Sequence, residues 1–133
     1  MSELVKGITL TTLTKPPITR QQLKAYSEAS LDHNPIHLDD EVARKSGLPG
    51  VIAHGMLTMA FFGEFLHQTI QEQGRGRILD LSCRFKAMTF PGDVITVHGL
   101  VREVKAQEVF CDLETRNQNG ELTATGHATL LLT

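Results

Sequence analysis

The stretch GMLTMAFFGEFLHQTIQE at residues 55–72 decides the fold that this sequence predicts. Apolar side chains surround nearly the whole circumference of its first turns. They are Met56, Leu57, Met59, Ala60, Phe61, Phe62, Phe65, Leu66 and Ile70. A helix that is apolar on almost every side belongs inside a domain rather than on its surface. The sequence therefore predicts a long buried helix over these residues.

Beyond the helix the hydrophobic pattern changes to strict alternation, which is typical of strands. From Arg77 onward, the side chains of residues 79, 81, 83, 85 and 87 form one face, and those of residues 80, 82, 84, 86 and 88 form the other. Turn signals follow at residues 91–93 and at Asn119-Gly120. Further strands are predicted at about 94–106, about 107–117 and 121–132, and a β-branched run predicts a first strand at 4–14. We expect an α+β fold, with an antiparallel sheet of about five strands wrapped round the helix. Edge strands and one apolar sheet face favour a dimer.

The segment before the long helix is predicted to hold two shorter helices. Thr19 begins the first, with Gln22 three residues later as in a capping box. Pro35 ends any helix that reaches residues 30–38. Asp39 is expected to cap a second short helix that ends at Gly47.

Composition excludes several classes of protein. The 133 residues suit a single domain over residues 1–133, and 41% hydrophobic residues supply an ordinary core. A net charge of -2, with no Trp and one Tyr, argues against a nucleic-acid partner. No segment is long and apolar enough for a membrane span, and the N-terminus has no secretion signal. We expect a cytoplasmic protein whose two cysteines are reduced, with Cys83 an inert buried thiol on the apolar strand face.

The chemistry is expected in the segment Asp32-His33-Asn34-Pro35-Ile36-His37 and at His54-Gly55. A histidine beside a carboxylate suits proton transfer at neutral pH, and a turn brings Asp32 and His37 together. Gly55 begins the buried helix, where free backbone N–H groups stabilise an oxyanion. Such a set fits proton abstraction next to a carbonyl, or addition of water to a conjugated double bond. From the local pattern alone, however, plain turn chemistry at this loop is the commoner outcome.

A metal site is the other chemical alternative at these positions. Asp32, His37 and His54 have suitable ligand types, but no two of them have helical ligand spacing. We therefore predict no metal and no cofactor.

The sequence resembles the MaoC-like family, the type-2 or R-specific enoyl-CoA hydratases, and especially the short (3R)-hydroxyacyl dehydratases of fatty-acid synthesis. Residues 26–66 carry the resemblance through Asp32-x-Asn34-Pro35-x-His37 and His54-Gly55-Met56, and FKAMTFPGD at residues 85–93 adds to it. The resemblance implies a hot-dog fold, usually in a homodimer, and reversible syn addition of water to a trans-2-enoyl thioester.

The resemblance also implies roles for individual residues. Asp32 and His37 would hold and activate the water, the N–H of Gly55 would polarise the thioester carbonyl, and Asn34 would brace the loop. His54, Met56 and Leu31 would complete the substrate site, with Leu31 part of the acyl pocket. Two positions depart from the family: Leu31 stands where Gly is usual, and Met88 where Pro is usual. If residue 31 needs a positive φ, Leu costs about 1 kcal/mol or more there.

Three questions stay open at this stage. The carrier of the thioester is either coenzyme A or acyl carrier protein. Residues 75–105 contain six basic and three acidic residues. This segment forms either a patch that faces the phosphates of the carrier or an ordinary solvated face. The acyl chain length depends on how Leu31, Leu57 and the three phenylalanines of the helix pack. The alternative functions are a hot-dog thioesterase that uses Glu64 and a non-catalytic acyl-binding or partner subunit of a heterodimeric dehydratase.

Overall fold

A computed structural model describes residues 3–133, and there the helices come before four consecutive strands, much as the hydrophobic pattern predicts. The helices are α1 (Arg20–Ser30), a single 3-10 turn (Pro35–His37), α2 (Asp40–Lys45) and α3 (Gly55–Gln73). The strands are β1 (Leu13–Thr14), β2 (Gly76–Phe85), β3 (Thr96–Lys105), β4 (Glu108–Arg116) and β5 (Leu122–Leu132). All paired strands are antiparallel, and the order across the sheet is β1-β3-β4-β5-β2.

Helix α3 lies in the core, as its apolar circumference predicts. Phe62, Phe65 and Leu66 are fully buried. The sheet approaches the helix so closely that a Cβ on Gly99 of β3 would lie 2.7 Å from the Phe65 ring. The predicted hot-dog arrangement, a curled antiparallel sheet around a long helix, is confirmed. No helix of residues 3–133 has the length and hydrophobicity to cross a membrane.

The N-terminal strand is much shorter than predicted. Residues 4–14 run beside β3, but apart from β1 they make one isolated bridge, between Thr9 and Leu100. Gly7 has a φ of 90°, which interrupts the extended backbone, although its N–H still donates to Val101 O at 2.8 Å. The prediction of one continuous strand was therefore wrong.

Strand β2 is an edge strand, and most of it is exposed. It pairs with β5 alone, with a bulge between Ile78 and Asp80. The predicted apolar face is covered by this chain only in part: Leu81 and Cys83 pack against the core, whereas Leu79 is 41% exposed and Phe85 is 52% exposed.

The two free thiols are placed differently from our expectation. Cys111 is fully buried in the middle of β4, where Val109 and Leu113 point to the core beside it. Burial raises the pKa of Cys111 to about 11. Cys83 is only half-buried, although burial also raises its pKa. The expected burial of Cys83 was wrong because β2 is an edge strand, whereas Cys111 lies on the central strand β4.

Candidate active site

The loop after α1 presents Asp32. The helix begins at Thr19, whose side chain accepts a hydrogen bond from Gln22 N as predicted, and it ends at Leu31 with φ 62° and ψ 18°. Ser27 Oγ donates to Asp32 O at 2.6 Å, which ties the loop back to the helix. The Asp32 carboxylate accepts from the Asn34 N–H at 3.2 Å and remains exposed to solvent.

The 3-10 turn places His37 beneath this loop. Asn34 caps the turn, since its side-chain oxygen accepts from Ile36 N at 3.2 Å. His37 is buried, and its Nδ1 lies 2.7 Å from the carbonyl oxygen of Ile52. A carbonyl only accepts, so Nδ1 carries the proton and the Nε2 lone pair is left available as a base.

His54 contacts both His37 and the loop that carries Asp32. Its side chain is 1% exposed, and its ring stacks on the His37 ring with centroids 3.8 Å apart and planes 23° apart. Its Nε2 lies 3.3 Å from Asp32 O. Burial lowers the pKa of His54, so the ring is neutral at physiological pH.

The structure therefore brings together three residues that the sequence singles out. One nitrogen or carboxylate oxygen from each of Asp32, His37 and His54 lies within 4.8 Å of the others. The stacked rings of His37 and His54 suit a metal poorly. An imidazole binds an ion that lies near the plane of its ring, and two nearly parallel rings direct their lone pairs side by side rather than towards one ion. A carboxylate beside a neutral imidazole base suits proton transfer instead.

The N-terminus of α3 forms the second part of the site. His54 is the N-cap of this helix but makes no side-chain capping bond, and the helix begins at Gly55. The first N–H groups of a helix have no partner within it. A Cβ on Gly55 would lie 2.9 Å from the Phe85 ring, so a larger residue at this position would require that ring to shift.

One cavity lies at the start of α3, and a second is lined by His37. The first, of about 340 Å³, is lined by Gly55, Ile52, Thr58, Phe85 and Lys86 among others. The second, of about 460 Å³, is lined by His37 together with residues of α1. Neither cavity is lined by both His37 and Gly55, so a substrate that contacted both residues would extend beyond either cavity alone.

Sequence reasoning missed the cations of the second cavity. Arg20 and Lys24 line it together with His37. Arg20 also pairs with Asp40 at 2.9 Å, and Asp40 accepts from Val51 N at 3.0 Å. The Val51 N–H and the Arg20 guanidinium hold the pKa of that carboxyl below its usual value. The i, i+4 spacing of Arg20 and Lys24 was the available signal, since it places both on one face of α1.

Several residues expected at the site lie elsewhere or point away. Leu31 is 77% exposed and Met56 is 57% exposed, and neither lines the two cavities described above. Phe61, like its neighbours 62 and 65, fills the core rather than an acyl pocket. Glu64 pairs with Lys15 at 2.8 Å and is not part of the cluster around His37.

The basic patch is also smaller than its sequence count. Arg102 pairs with Asp112 and Lys105 with Glu103, which leaves residues 75, 77, 84 and 86 as the exposed basic group along β2. These four positions follow the free edge of the sheet.

Comparison with known proteins agrees with the fold. Residues 5–124 match the model of the MaoC like domain, and the chain belongs to this family. It is 35% identical over 114 residues to an (R)-specific enoyl-CoA hydratase of Aeromonas caviae, which covers 84% of each chain. It is 32% identical over 120 residues to a mitochondrial 3-hydroxyacyl-[acyl-carrier-protein] dehydratase of Arabidopsis thaliana, which covers 84% of this chain and 69% of that one.

The structural comparison gives the same grouping. The solved (R)-hydratase from A. caviae, described as involved in PHA biosynthesis, superposes with a TM-score of 0.89 and 28% identity over the full length of both chains. Six fatty acid synthase chains also match, and this chain spans only 3% to 5% of their length.

Proposed function

We propose that the protein catalyses the reversible hydration of a trans-2-enoyl thioester to a (3R)-hydroxyacyl thioester in fatty-acid metabolism. The observation that carries the proposal is the Asp32–His37 pair: a carboxylate oxygen and a ring nitrogen of the two residues lie within 4.8 Å of each other, and His54, which joins them in the cluster, is the N-cap of α3. The likeness to an R-specific hydratase and to a dehydratase supports the same reaction in either direction.

The proposed mechanism follows from the tautomer of His37. Because Nδ1 donates to Ile52 O, Nε2 is the atom that takes a proton from water while the water oxygen bonds to C3 of the substrate. In this direction Asp32 reacts in its protonated form: it orients the water, gives its own proton to the α-carbon and becomes a carboxylate. The imidazolium then returns its proton to the carboxylate, so that one water is added and the pair is restored.

The backbone N–H of Gly55 is assigned to the thioester carbonyl. Negative charge builds up on that oxygen as the α-carbon becomes enolate-like, and a helix N-terminus stabilises it. Asn34 fixes the loop through its bond to Ile36 N, which keeps Asp32 and His37 on the same side of the substrate.

The substrate carrier is proposed to be coenzyme A or acyl carrier protein, and the assembly a homodimer formed along β2. The unpaired edge of this strand and the exposed Leu79 and Phe85 support the dimer. A cytoplasmic location and a single domain over residues 1–133 stay predictions.

The first prediction tests the pair directly. Asp32→Asn and His37→Gln should each lower kcat for hydration of crotonyl-CoA by about 100-fold or more, because each removes a proton-transfer group. The measurement is loss of enoyl absorbance, with chiral analysis of the 3-hydroxyacyl product.

The matched control is His67→Gln, an exposed histidine on α3 outside the cluster, which should keep wild-type turnover. Near-normal hydration by both Asp32→Asn and His37→Gln would refute the assignment, as would an S product. Release of free thiol would indicate a thioesterase instead. Absence of any activity in the pure wild-type chain would indicate a partner subunit.

A further inference from the structure

His54 has more contacts within the site than a helix-capping residue needs. Its ring stacks on His37 at 3.8 Å, and Tyr26 of α1 lies against it with a centroid distance of 4.9 Å and a tilt of 60°. Its Nε2 lies 3.3 Å from Asp32 O. One buried side chain thus touches both members of the proposed catalytic pair.

The hydrogen bonding of His54 fixes its charge as well as its position. The Asp32 carbonyl only accepts, so Nε2 carries the proton and donates. Nδ1 is buried and has no hydrogen-bond partner among residues 3–133. A second proton on Nδ1 would create a buried positive charge with an unpaired N–H, which is strongly disfavoured. His54 therefore stays neutral while His37 gains and loses its proton.

A neutral aromatic face beside His37 affects the two forms of that residue differently. The faces of aromatic rings carry negative electrostatic potential and attract a cation within about 6 Å of the centroid. The centroids of the His54 and His37 rings lie 3.8 Å apart, within that distance. The imidazolium is the form that develops as His37 takes a proton from water.

We propose that His54 is a positioning residue whose neutral ring holds His37 in register with Asp32 and stabilises the imidazolium that forms there. The expected effect of His54 on turnover rests on the proposed function. The expected effect of His54 on the titration of His37 does not, because it can be measured without any reaction. Other titratable or charged groups near His37 and His54 include Asp32 and His33 on the loop and Arg20, Lys24 and Tyr26 on α1. They are the same in every variant below.

The test separates the ring face from the hydrogen bond. His54→Phe keeps an aromatic face against His37 and removes the N–H that bonds Asp32 O. His54→Gln keeps a side-chain N–H and removes the face. The full-length variants are compared by NMR titration of the His37 ring and by the pH dependence of kcat/KM for crotonyl-CoA.

With His54→Gln we expect the apparent pKa of His37 to fall by roughly 0.5 to 1 unit, and kcat to fall about 3- to 10-fold with little change in KM. His54→Phe should keep the His37 titration close to wild type and a kcat within about 3-fold of it. A purely structural role predicts the same change in both variants.

Equal shifts in the two variants, or no shift in either, would overturn the proposal. His54→Leu, which lacks both the face and the N–H, serves as the second test of the face and should match Gln in the NMR titration. If the wild-type chain hydrates no enoyl thioester, the proposed function fails. The His37 titrations still decide whether the ring stabilises the imidazolium.

Discussion

At the scale of single residues, Leu31 holds a backbone conformation that is costly for a residue other than glycine. Its φ of 62° and ψ of 18° lie in the left-handed region, and its side chain is 77% exposed. The left-handed conformation costs a residue with a Cβ about 1–2 kcal/mol. The condition stated from the sequence, a positive φ at residue 31, is therefore met.

Leu31→Gly should stabilise the protein by roughly 0.5–1 kcal/mol. Glycine removes the strain of the left-handed backbone, which raises the free energy of unfolding. It also increases the entropy of the unfolded chain, which offsets part of that increase. The measurement is urea denaturation at a fixed protein concentration. Leu31→Ala is the control, because it loses the same exposed side chain and keeps the Cβ. A larger gain in stability for Ala than for Gly would contradict the assignment of strain.

The residues of the site differ in how far the sequence reveals them. Asp32 and His37 were predictable because a short turn holds both. The stacking of His54 on His37 was not, since the two histidines lie 17 positions apart and meet only when the loop at residue 52 crosses the 3-10 turn. The sequence marks the residue types, whereas tertiary packing decides which atoms face each other.

At the scale of elements, the start of α3 combines an open backbone with an aromatic cover. Gly55→Ala should lower kcat/KM about 10-fold or more. The new Cβ would lie 2.9–3.3 Å from three atoms of the Phe85 ring, and the displaced ring would obstruct the proposed site of the thioester carbonyl. The double variant with Phe85→Leu should recover part of the loss, which a double-mutant cycle of kcat/KM would measure.

Gly63→Ala on the same helix is the matched control. A Cβ at Gly63 meets nothing within 4 Å, so this variant should gain about 0.5–1 kcal/mol of stability and keep wild-type activity. Equal activity losses for Gly55→Ala and Gly63→Ala would show that the effect belongs to the helix as a whole and not to its N-terminus.

Elements were easier to predict than their surroundings. The long apolar stretch of α3 and the turn at Asn119-Gly120 gave boundaries within a few residues of those observed. The alternation in β2 correctly predicted a strand, but alternation reports only that one face is apolar. It does not reveal that β5, and not β3, is the neighbour, or that the other edge is unpaired.

At the scale of the whole molecule, the exposed apolar residues of β2 bear on the proposed homodimer. Leu79→Arg should shift the protein from about twice its 14.7 kDa chain mass towards the monomer in sedimentation velocity, since it adds a cation to an edge already lined by Arg77 and Arg84.

Leu100→Arg is matched to that variant in exposure, at 40% against 41%, but lies on β3 opposite Asp112. It should leave the assembly intact. A monomeric wild type, or dissociation by both variants alike, would place the contact elsewhere or remove it.

The pairing of β2 with β5 has a consequence for synthesis of the chain. Phe85 pairs with Ala124 and Gly76 with Leu132, so β2 has no strand beside it until the last eleven residues of the sheet have left the ribosome. During that interval α3 and its phenylalanines have only part of their cover. Non-local pairings of this kind form slowly and leave apolar surface open to other chains. We therefore infer that a nascent chain stopped before residue 122 cannot shelter its own central helix, and that the final strand commits the molecule to its fold.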